Sequence, residues 1–492
     1  MVAYVPPKQA GKYKAVASGA ITNGKPVIVN ADGTVGTTTT QTTVTQSVGS
    51  QVTFENALTA FTSTVFDSNA GKIVIAYEDD DNSDYGTAIV GTVSGTSISF
   101  GSAAIFESAA VAYVAAAFDS NSNKVVISYV DQGNSYYGTA IVGTVSGTSI
   151  SFGTPVVYES GGTVAHNNIT FDSTNNKVVI AYRDDGNSFY GTAIVGTVSG
   201  TGISFGTAAV FESAESGEIT LDFDSSNGKV VIAYTDGGDG NKPKAVVGTV
   251  SGTGISFGTA VGIDTGDAGN LTMAFDSNSN RIVISYKDGN NSNYGTAIVG
   301  TVSGTTISFG TAVAYNSGTN GQTTITFDSN VNKVAIMHRD QSDSSDGKLI
   351  VGTVDPSDNS ISFGSSTTFN SGYTRMYPSA SAFDSTNNKV VVAYRDTGES
   401  NIGNAIVFQI GGTTTSNALT SENYIGIASG GTYADTAEAT IDVVGTVNKD
   451  QSGLTAGQTY YVQNDGTLGT TADDPSVVAG TAISATELIV KG

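Results

Sequence analysis

Apolar and polar positions along the chain follow one recurring phrase. Phe-Asp-Ser, a polar run and a basic residue lead into consecutive apolar positions in "FDSNAGKIVIAYED" from 66, and again from 118, 171, 223, 275, 327 and 383. The polar run reads as a tight turn, in which Asp-Ser before Asn or Gly caps its own backbone. The apolar run, "VVIAY" in its commonest form, does not alternate, which predicts a strand covered on both faces. Within 168–214 the pattern gives four strands: "NITFD" (A), "KVVIAYRD" (B), "GTAIVGTVSG" (C) and "ISFGTAAVFES" (D). Turn residues in "DSTNN", "DDGNS" and "SGTG" separate them. Strand A carries small or β-branched residues, as in Ala115-Ala116-Ala117 and Ile169-Thr170, which suits strands crowded about an axis.

The phrase returns every 52–53 residues, with a last step of 56. Four antiparallel strands in a unit of that length predict an all-β fold, a β-propeller of seven blades. Strand C occurs seven times, ending at 404–410, yet no strand D follows the seventh. The missing piece stands at the other end, where "SQVTFENALTAF" at 50–61 matches "TSISFGSAAIFE" at 96–107. The N-terminal strand is therefore expected to close the last blade, giving a propeller over 49–410 and leaving 1–48 and 411–492 outside it.

Those flanks share a pattern of their own. "GKPVIVNADGTVG" at 24–36 and "GQTYYVQNDGTLG" at 457–469 each predict strand, Asp-Gly turn, strand. "NYIGIASG" and "ATIDVVGTV" add two further strands, so the propeller is expected as an insertion into one small split β domain. The combination "SGLTAGQTYYV…DGTLGT…AGTAIS", with "YKAVASGAITNGKPVIVNADGTVG" before the insertion, resembles small β modules of tailed-bacteriophage virion proteins, both tail-fibre-like and capsid-surface. The resemblance covers about 100 of the 492 residues and stops at the propeller. It implies a module attached to other virion proteins, a displayed module at the virion surface and, by analogy with such modules, a homotrimer.

Composition narrows the partners. Against 21 Lys and Arg stand 44 Asp and Glu, a formal charge of −23 that repels a phosphate backbone and excludes nucleic acid as a partner. The chain has no Cys, which removes thiolate chemistry and disulfides. Residues 1–20 do not read as a secretory signal, and no run approaches the ~18 apolar residues of a spanning helix, so membrane insertion is not expected.

Candidate chemistry lies in the loops that differ between copies. In a propeller the B–C and D–A connections share one face, and the B–C loops vary where the A–B turns do not: 78–86, 130–138, 183–191, 235–244, 287–295, 339–348 and 395–404. Loops on a rigid scaffold are where binding is usually placed. They offer Asp79, Asp80, Asp81, Asp131, Asp184 and Asp185 with Tyr85, Tyr136, Tyr137, Phe189, Tyr190 and Tyr294, a mixture of carboxylates and rings suited to a host-surface glycan or receptor. Tyr85, Tyr137, Tyr190 and Tyr294 share one repeat position and equally suit plugs between blades; Tyr136 and Phe189, one residue earlier, are the more exposed candidates. Arg183, Arg339 and Arg395 also share a position and read either as a cluster for an acidic sugar or as residues paired in place with the Asp that follows each. Asp79, Asp81 and Asp84 are weak calcium ligands, lacking the Gly and distal Glu of an EF-hand loop, and no other cofactor is implied.

Two His residues, His166 in a D–A loop and His338 in place of the strand-B Tyr, assemble no triad or metal cluster. The expectation is a non-enzymatic protein of the virion surface whose propeller recognises a host glycan. Its alternatives are a capsid-decoration protein and a glycan-hydrolysing propeller.

Overall fold

Each copy of the phrase folds as one antiparallel array. In the second, strand B (Lys124–Asp131) pairs with strand C (Tyr137–Ser146) from Val125↔Gly143 to Asp131↔Tyr137, and with strand A over 111–119. The protein is seen here as a computed structural model that describes residues 11–30, 32–398, 401–417, 419–473 and 475–491. Among these residues there is no α-helix, only single 3-10 turns such as Asp80–Asn82 and Gln132–Asn134. The fold is all-β, built of several multi-stranded sheets.

Strand D departs from the expected single strand. It breaks after "SISF", so that Ser149–Phe152 pairs with the end of strand C and Val156–Glu159 with its beginning. A repeated glycine sits at the break. A Cβ on Gly101, Gly153, Gly206, Gly258 or Gly310 would strike the carbonyl oxygen of Thr148, Thr201, Thr253, Thr305 or Asn359, in the C–D turn of the following copy. The turn of each copy thus rests on the backbone of the one before, which only glycine permits.

Four copies also lack a separate D–A loop. Val52–Asp67, Ala104–Asp119, Ala209–Asp224 and Val313–Asp328 are continuous strands that belong to two sheets each. Residues 104–110 pair with Tyr85–Ser94, and 111–119 with the next strand B. At the last copy, strand C (Ile402–Gln409) takes its outer partner from the beginning of the chain, with Ile402↔Leu58, Ala405↔Val52 and Phe408↔Val48. A Cβ on Gly49 would strike the Thr96 carbonyl of the first copy, whereas Gly364 faces a copy without a C–D turn, and a Cβ there would meet nothing nearer than the Val351 oxygen at 3.9 Å.

Strands B and C supply the core between neighbouring arrays, where clusters such as Val126, Val142, Ile169, Val178 and Ile180 exclude water. The strand-B tyrosine is fully buried, and its hydroxyl donates to a strand-D carboxylate: Tyr77 to Glu55 (3.1 Å), Tyr129 to Glu107 (3.0 Å), Tyr234 to Glu212 (2.8 Å) and Tyr286 to Asp264 (2.9 Å). His338 packs in the same place, as expected, edge-on to Tyr315 at 5.2 Å, with Nδ1 2.9 Å from Asn320 Oδ1. Burial pushes its pKa down to about 4, so it is neutral. The Phe-Asp-Ser aspartates cap their own turns: Asp172 Oδ1 accepts from the backbone N–H groups of Thr174 and Asn175, both at 2.9 Å.

The chain divides into two compact units, Val44–Gly412 and the combined ends Met1–Thr43 with Thr413–Gly492. In the combined ends, one sheet runs Lys12–Val16, Glu438–Val443, Tyr424–Ala428, Pro26–Val29, Val35–Thr37, so N-terminal strands flank a C-terminal pair. A second sheet is wholly C-terminal, with Thr459–Val462 between Leu468–Gly469 and Val478–Ala482. Both Asp-Gly hairpins form in register, Val29↔Val35 and Val462↔Leu468.

Candidate functional site

The register of strand A slips at one repeat position. The slips fall between Ala60 and Ser63, Ala112 and Ala115, Ala165 and Asn168, Gly217 and Thr220, and Gly269 and Thr272. The first bulged residue of each is left-handed: Phe61 (φ 46°), Tyr113 (49°), His166 (50°), Glu218 (48°) and Asn270 (53°). For side chains of this size that conformation costs about 1 kcal/mol or more, and such strain gathers where a side chain must be aimed. In the sixth copy Gln322 holds the position, within a slip between Asn320 and Thr323. In the last the bulge widens to 376–379 and brings Tyr377, which accounts for part of the longer final step.

These seven side chains line one pocket of about 200 Å³. Its wall is divided by chemistry. Tyr377, Phe61, Tyr113 and His166 form an arc of rings, with successive centroids 5.3, 5.1 and 5.3 Å apart. Glu218, Asn270 and Gln322, from the next three copies, complete the wall with polar groups. The widened bulge makes the floor: Pro378 O accepts from Thr272 Oγ1 (3.0 Å) and Thr324 Oγ1 (3.1 Å), and Ser379 O from the Thr64 N–H (2.8 Å). Beyond that floor lies a second cavity of about 510 Å³, lined in part by Thr170, Asp222 and Phe275.

Several groups around the pocket lack partners. Gln322 Oε1, Asn167 Oδ1 and the Tyr377 hydroxyl are buried without a hydrogen bond. Each such group costs ~1–3 kcal/mol unless something binds it. Glu218 accepts from the Asn270 N–H at 2.9 Å, but burial outweighs that bond and the charge of Lys287 and raises its pKa. Burial, aided by Arg183, lowers His166 to about 4, leaving it neutral. The arrangement offers ring faces and hydrogen-bonding groups in one pocket.

The B–C loops are placed differently from this pocket. Asp131 and Asp184 are buried caps, each accepting at 3.1 Å from the backbone N–H of Asn134 or Asn187. Tyr85, Tyr137, Tyr190 and Tyr294 begin strand C half-buried. Tyr136 and Phe189 stand out, 48% and 45% exposed. Arg183 pairs with Asp185 at 2.6 Å and lies 5.4 Å from the Phe189 ring, while Arg339 and Arg395 have no carboxylate within 4 Å among the described residues. Of the acidic run, Glu78, Asp80 and Asp84 bring oxygens within 4.8 Å of one another; Asp79 and Asp81 are outside that group. Burial, with Asp84 and Asp80, raises Glu78 to about 7, and burial with Glu55 raises Asp79 to about 6. Residues 399–400 of the loop 395–404 lie outside the described residues.

Sequence reasoning missed the bulge. His166 was expected in a D–A loop but lies within the strand Val164–Asp172. The available signal was a column: positions 61, 113, 166, 218, 270 and 322 keep the repeat spacing yet carry Phe, Tyr, His, Glu, Asn and Gln.

Neither a protein-family model nor a curated protein matches the chain. Solved structures do. A lectin from Burkholderia pseudomallei superposes with a TM-score of 0.53 at 9% identity, over 73% of this chain and 98% of the lectin. A sialidase from Streptococcus pneumoniae (TM-score 0.42, 12% identity, 75% and 70% coverage) and a leech intramolecular trans-sialidase (0.43, 11%, 73% and 68%) also match. The likeness to the lectin is one of fold: this is a propeller-like all-β chain. The expectation that the chain is not an enzyme is withdrawn, with sialidases among the structures it matches. That expectation rested on scarce histidine, which bears on triads and metal clusters, whereas glycoside cleavage needs only carboxyl and hydroxyl groups.

Proposed function

We propose that Val44–Gly412 is a closed seven-bladed propeller that binds a glycan in its axial pocket. One observation carries this reading: the strained bulge that recurs in strand A delivers a different side chain from each copy into a single cavity. An arc of rings offers apolar faces to the C–H side of a sugar, and Glu218, Asn270 and Gln322 suit its hydroxyls. The fold likeness to a lectin agrees with it. Cleavage of the bound glycan is a second reading, favoured by Glu218, a half-buried carboxyl with a raised pKa in the pocket lining.

The combined ends serve, in this reading, as the attachment module. Their support is the resemblance to bacteriophage virion modules, which makes the propeller a displayed host-recognition element or a decoration of the capsid surface.

A glycan array probed with the full chain, with and without calcium, tests the pocket beside Tyr113→Ala. Binding that Tyr113→Ala abolishes supports the reading, and release of free sugar that Glu218→Gln stops supports cleavage. Binding unchanged by Tyr113→Ala but lost on replacing the loops 78–86, 130–138 and 183–191 would move the site to the B–C loops.

A further inference from the structure

The two sheets of the combined ends are one pattern used twice. The first runs Lys12–Val16, Glu438–Val443, Tyr424–Ala428, Pro26–Val29, Val35–Thr37, and the second Val447–Asn448, Leu488–Val490, Val478–Ala482, Thr459–Val462, Leu468–Gly469. Counted along the chain within each sheet, both orders are first, fifth, fourth, second, third. The likeness extends to single bonds. Pairing of the second and fourth strands slips between Val27 and Ile28 in one sheet and between Tyr460 and Tyr461 in the other. The Gly24 N–H donates to the Ala428 carbonyl as the Gly457 N–H does to that of Ala482, and the Asp-Gly turns close alike, Gly33 on Asn30 and Gly466 on Gln463. The propeller therefore interrupts the first module between its third and fourth strands, where the second has only residues 470–477.

What covers each sheet differs. One face of the first, with Val27, Val35, Ala428 and Ile441, is closed by Ile21 and Tyr433 of its own loops. The other, with Ile28 and Ile427, packs on Tyr460, Leu488 and Val490 of the second sheet, and the Tyr424 hydroxyl donates to the Ala479 carbonyl at 3.3 Å. Among the described residues of the combined ends, no further layer covers the outer face of the second sheet. Across that face Val447, Ile489, Thr481 and Thr459 form one row, the counterparts of Lys12, Asp442, Ile427 and Pro26. The charged pair Lys12–Asp442 has become Val447 and Ile489, Val447 being 37% exposed. Half-buried Tyr461 stands in place of the buried Ile28, and Ile483, 45% exposed, in place of the buried Ser429. A sheet face left to water is ordinarily polar, whereas this one has exchanged charge for hydrocarbon.

We propose that this outer face, through Val447, Tyr461, Ile483 and Ile489, pairs with the same face of a second copy of the chain. The first module indicates the occupant, because its matching face is covered by a sheet of the same kind. Within one copy the other broad faces are already used, by Ile21 and Tyr433 and by the packing of the two sheets on each other. The open face of another copy remains, and two identical patches close on each other about a two-fold axis, a pair instead of the trimer that the resemblance implies. The pairing does not depend on the glycan reading, under which a pair would carry two axial pockets and gain avidity for a surface that repeats one ligand.

Light scattering on the eluting full chain over a concentration series tests it. The unaltered chain should be a dimer at micromolar concentration. Val447→Lys with Ile489→Asp, which places the first module's own pair in the second, should weaken association about tenfold or more, as should Ile483→Ser, with the melting temperature of the dissociated chain unchanged. Tyr13→Ser, which removes a ring 47% exposed on the first sheet, should leave the dimer intact. A monomer throughout the series, a trimer, or a dimer that survives Ile483→Ser and the paired substitution overturns the proposal, and a dimer lost in Tyr13→Ser alone would move the contact to the first sheet.

Discussion

Strands A and B of each copy hold two adjacent kinds of position that behave in opposite ways. The strand-B tyrosine recurs in six copies, gives way to His338 in the other, and is fully buried wherever it occurs. The first bulge residue of strand A lies a few residues away across the sheet and hardly repeats: Phe61, Tyr113, His166, Glu218, Asn270 and Gln322 share geometry and no chemistry. Repetition of a side chain marks what every array needs in order to pack. Repetition of a conformation with changing side chains marks a place where the arrays together build something asymmetric. The glycine at the strand-D break belongs to the first class, since its backbone carries the next copy's turn.

The packing positions should dominate stability. Tyr129→Ala removes a fully buried ring and its bond to Glu107, and is expected to cost about 4 kcal/mol, read as a lowered melting temperature. Gly101→Val should cost about 3 kcal/mol, because its side chain meets the Thr148 carbonyl, while Gly364→Val, facing open space, should stay within about 0.5 kcal/mol. Equal effects of the two glycine substitutions would mean that the turns do not bear on the neighbouring backbone. Phe61→Ala and Tyr113→Ala should do the reverse of Tyr129→Ala. They are expected to weaken glycan binding about thirtyfold, the worth of a central aromatic contact, with little change in melting temperature.

The all-β repeat, its strand order and its turns were legible because each depends on local chemistry repeated many times. Consecutive apolar residues in "VVIAY" and the self-capping Asp172 announce their roles within a few residues of sequence. The break in strand D was not legible, because the reason for Gly153 is the Thr201 carbonyl of another copy. The pocket was hidden for a related reason. A bulge is a change of register between paired strands, and nothing in "AFTS" or "AYVA" alone distinguishes it from a regular strand. The arginines were legible as a column, but Arg183 pairs with Asp185 whereas Arg339 and Arg395 do not, a distinction set by where Lys348 and the local turns draw the neighbouring carboxylates.

Next to the recurring tyrosine stands another varied position, and in the first copy it is Glu78. Burial, then the charges of Asp84 and Asp80, raise it to about 7 from an ordinary 4.5, against the pull of Arg395 and Arg375. Between those values the folded chain holds a proton that the unfolded chain has released. Stability should therefore fall as pH rises from 4.5 to 7, with the penalty complete above that range. Allowing for solvent screening, the loss is about 1–2 kcal/mol. Asp79 and Asp222, both raised to about 6 with burial as the leading cause, act in the same direction. Melting temperatures across this range should decline less in Glu78→Gln than in the unaltered chain, and a parallel decline would place the effect on the other two carboxyls.

The smallest effects are expected where exposure is greatest. Tyr136 and Phe189 project from the B–C loops at left-handed backbone positions, with φ 61° and 63°, as do Asp84, Asn293 and Ser345 at the same place in other copies. Unlike the bulge residues, Tyr136 and Phe189 are not gathered into the pocket but stand 48% and 45% exposed, so there the conformation serves the turn. Tyr136→Ala should change glycan affinity less than about twofold and stability by less than about 0.5 kcal/mol. Phe189→Ala should be slightly more disruptive, since it uncovers the Arg183–Asp185 pair. If either substitution instead removed binding while Tyr113→Ala did not, side chains that differ between copies would matter only on loops, and the bulges would be a device for bending strand A around the axis.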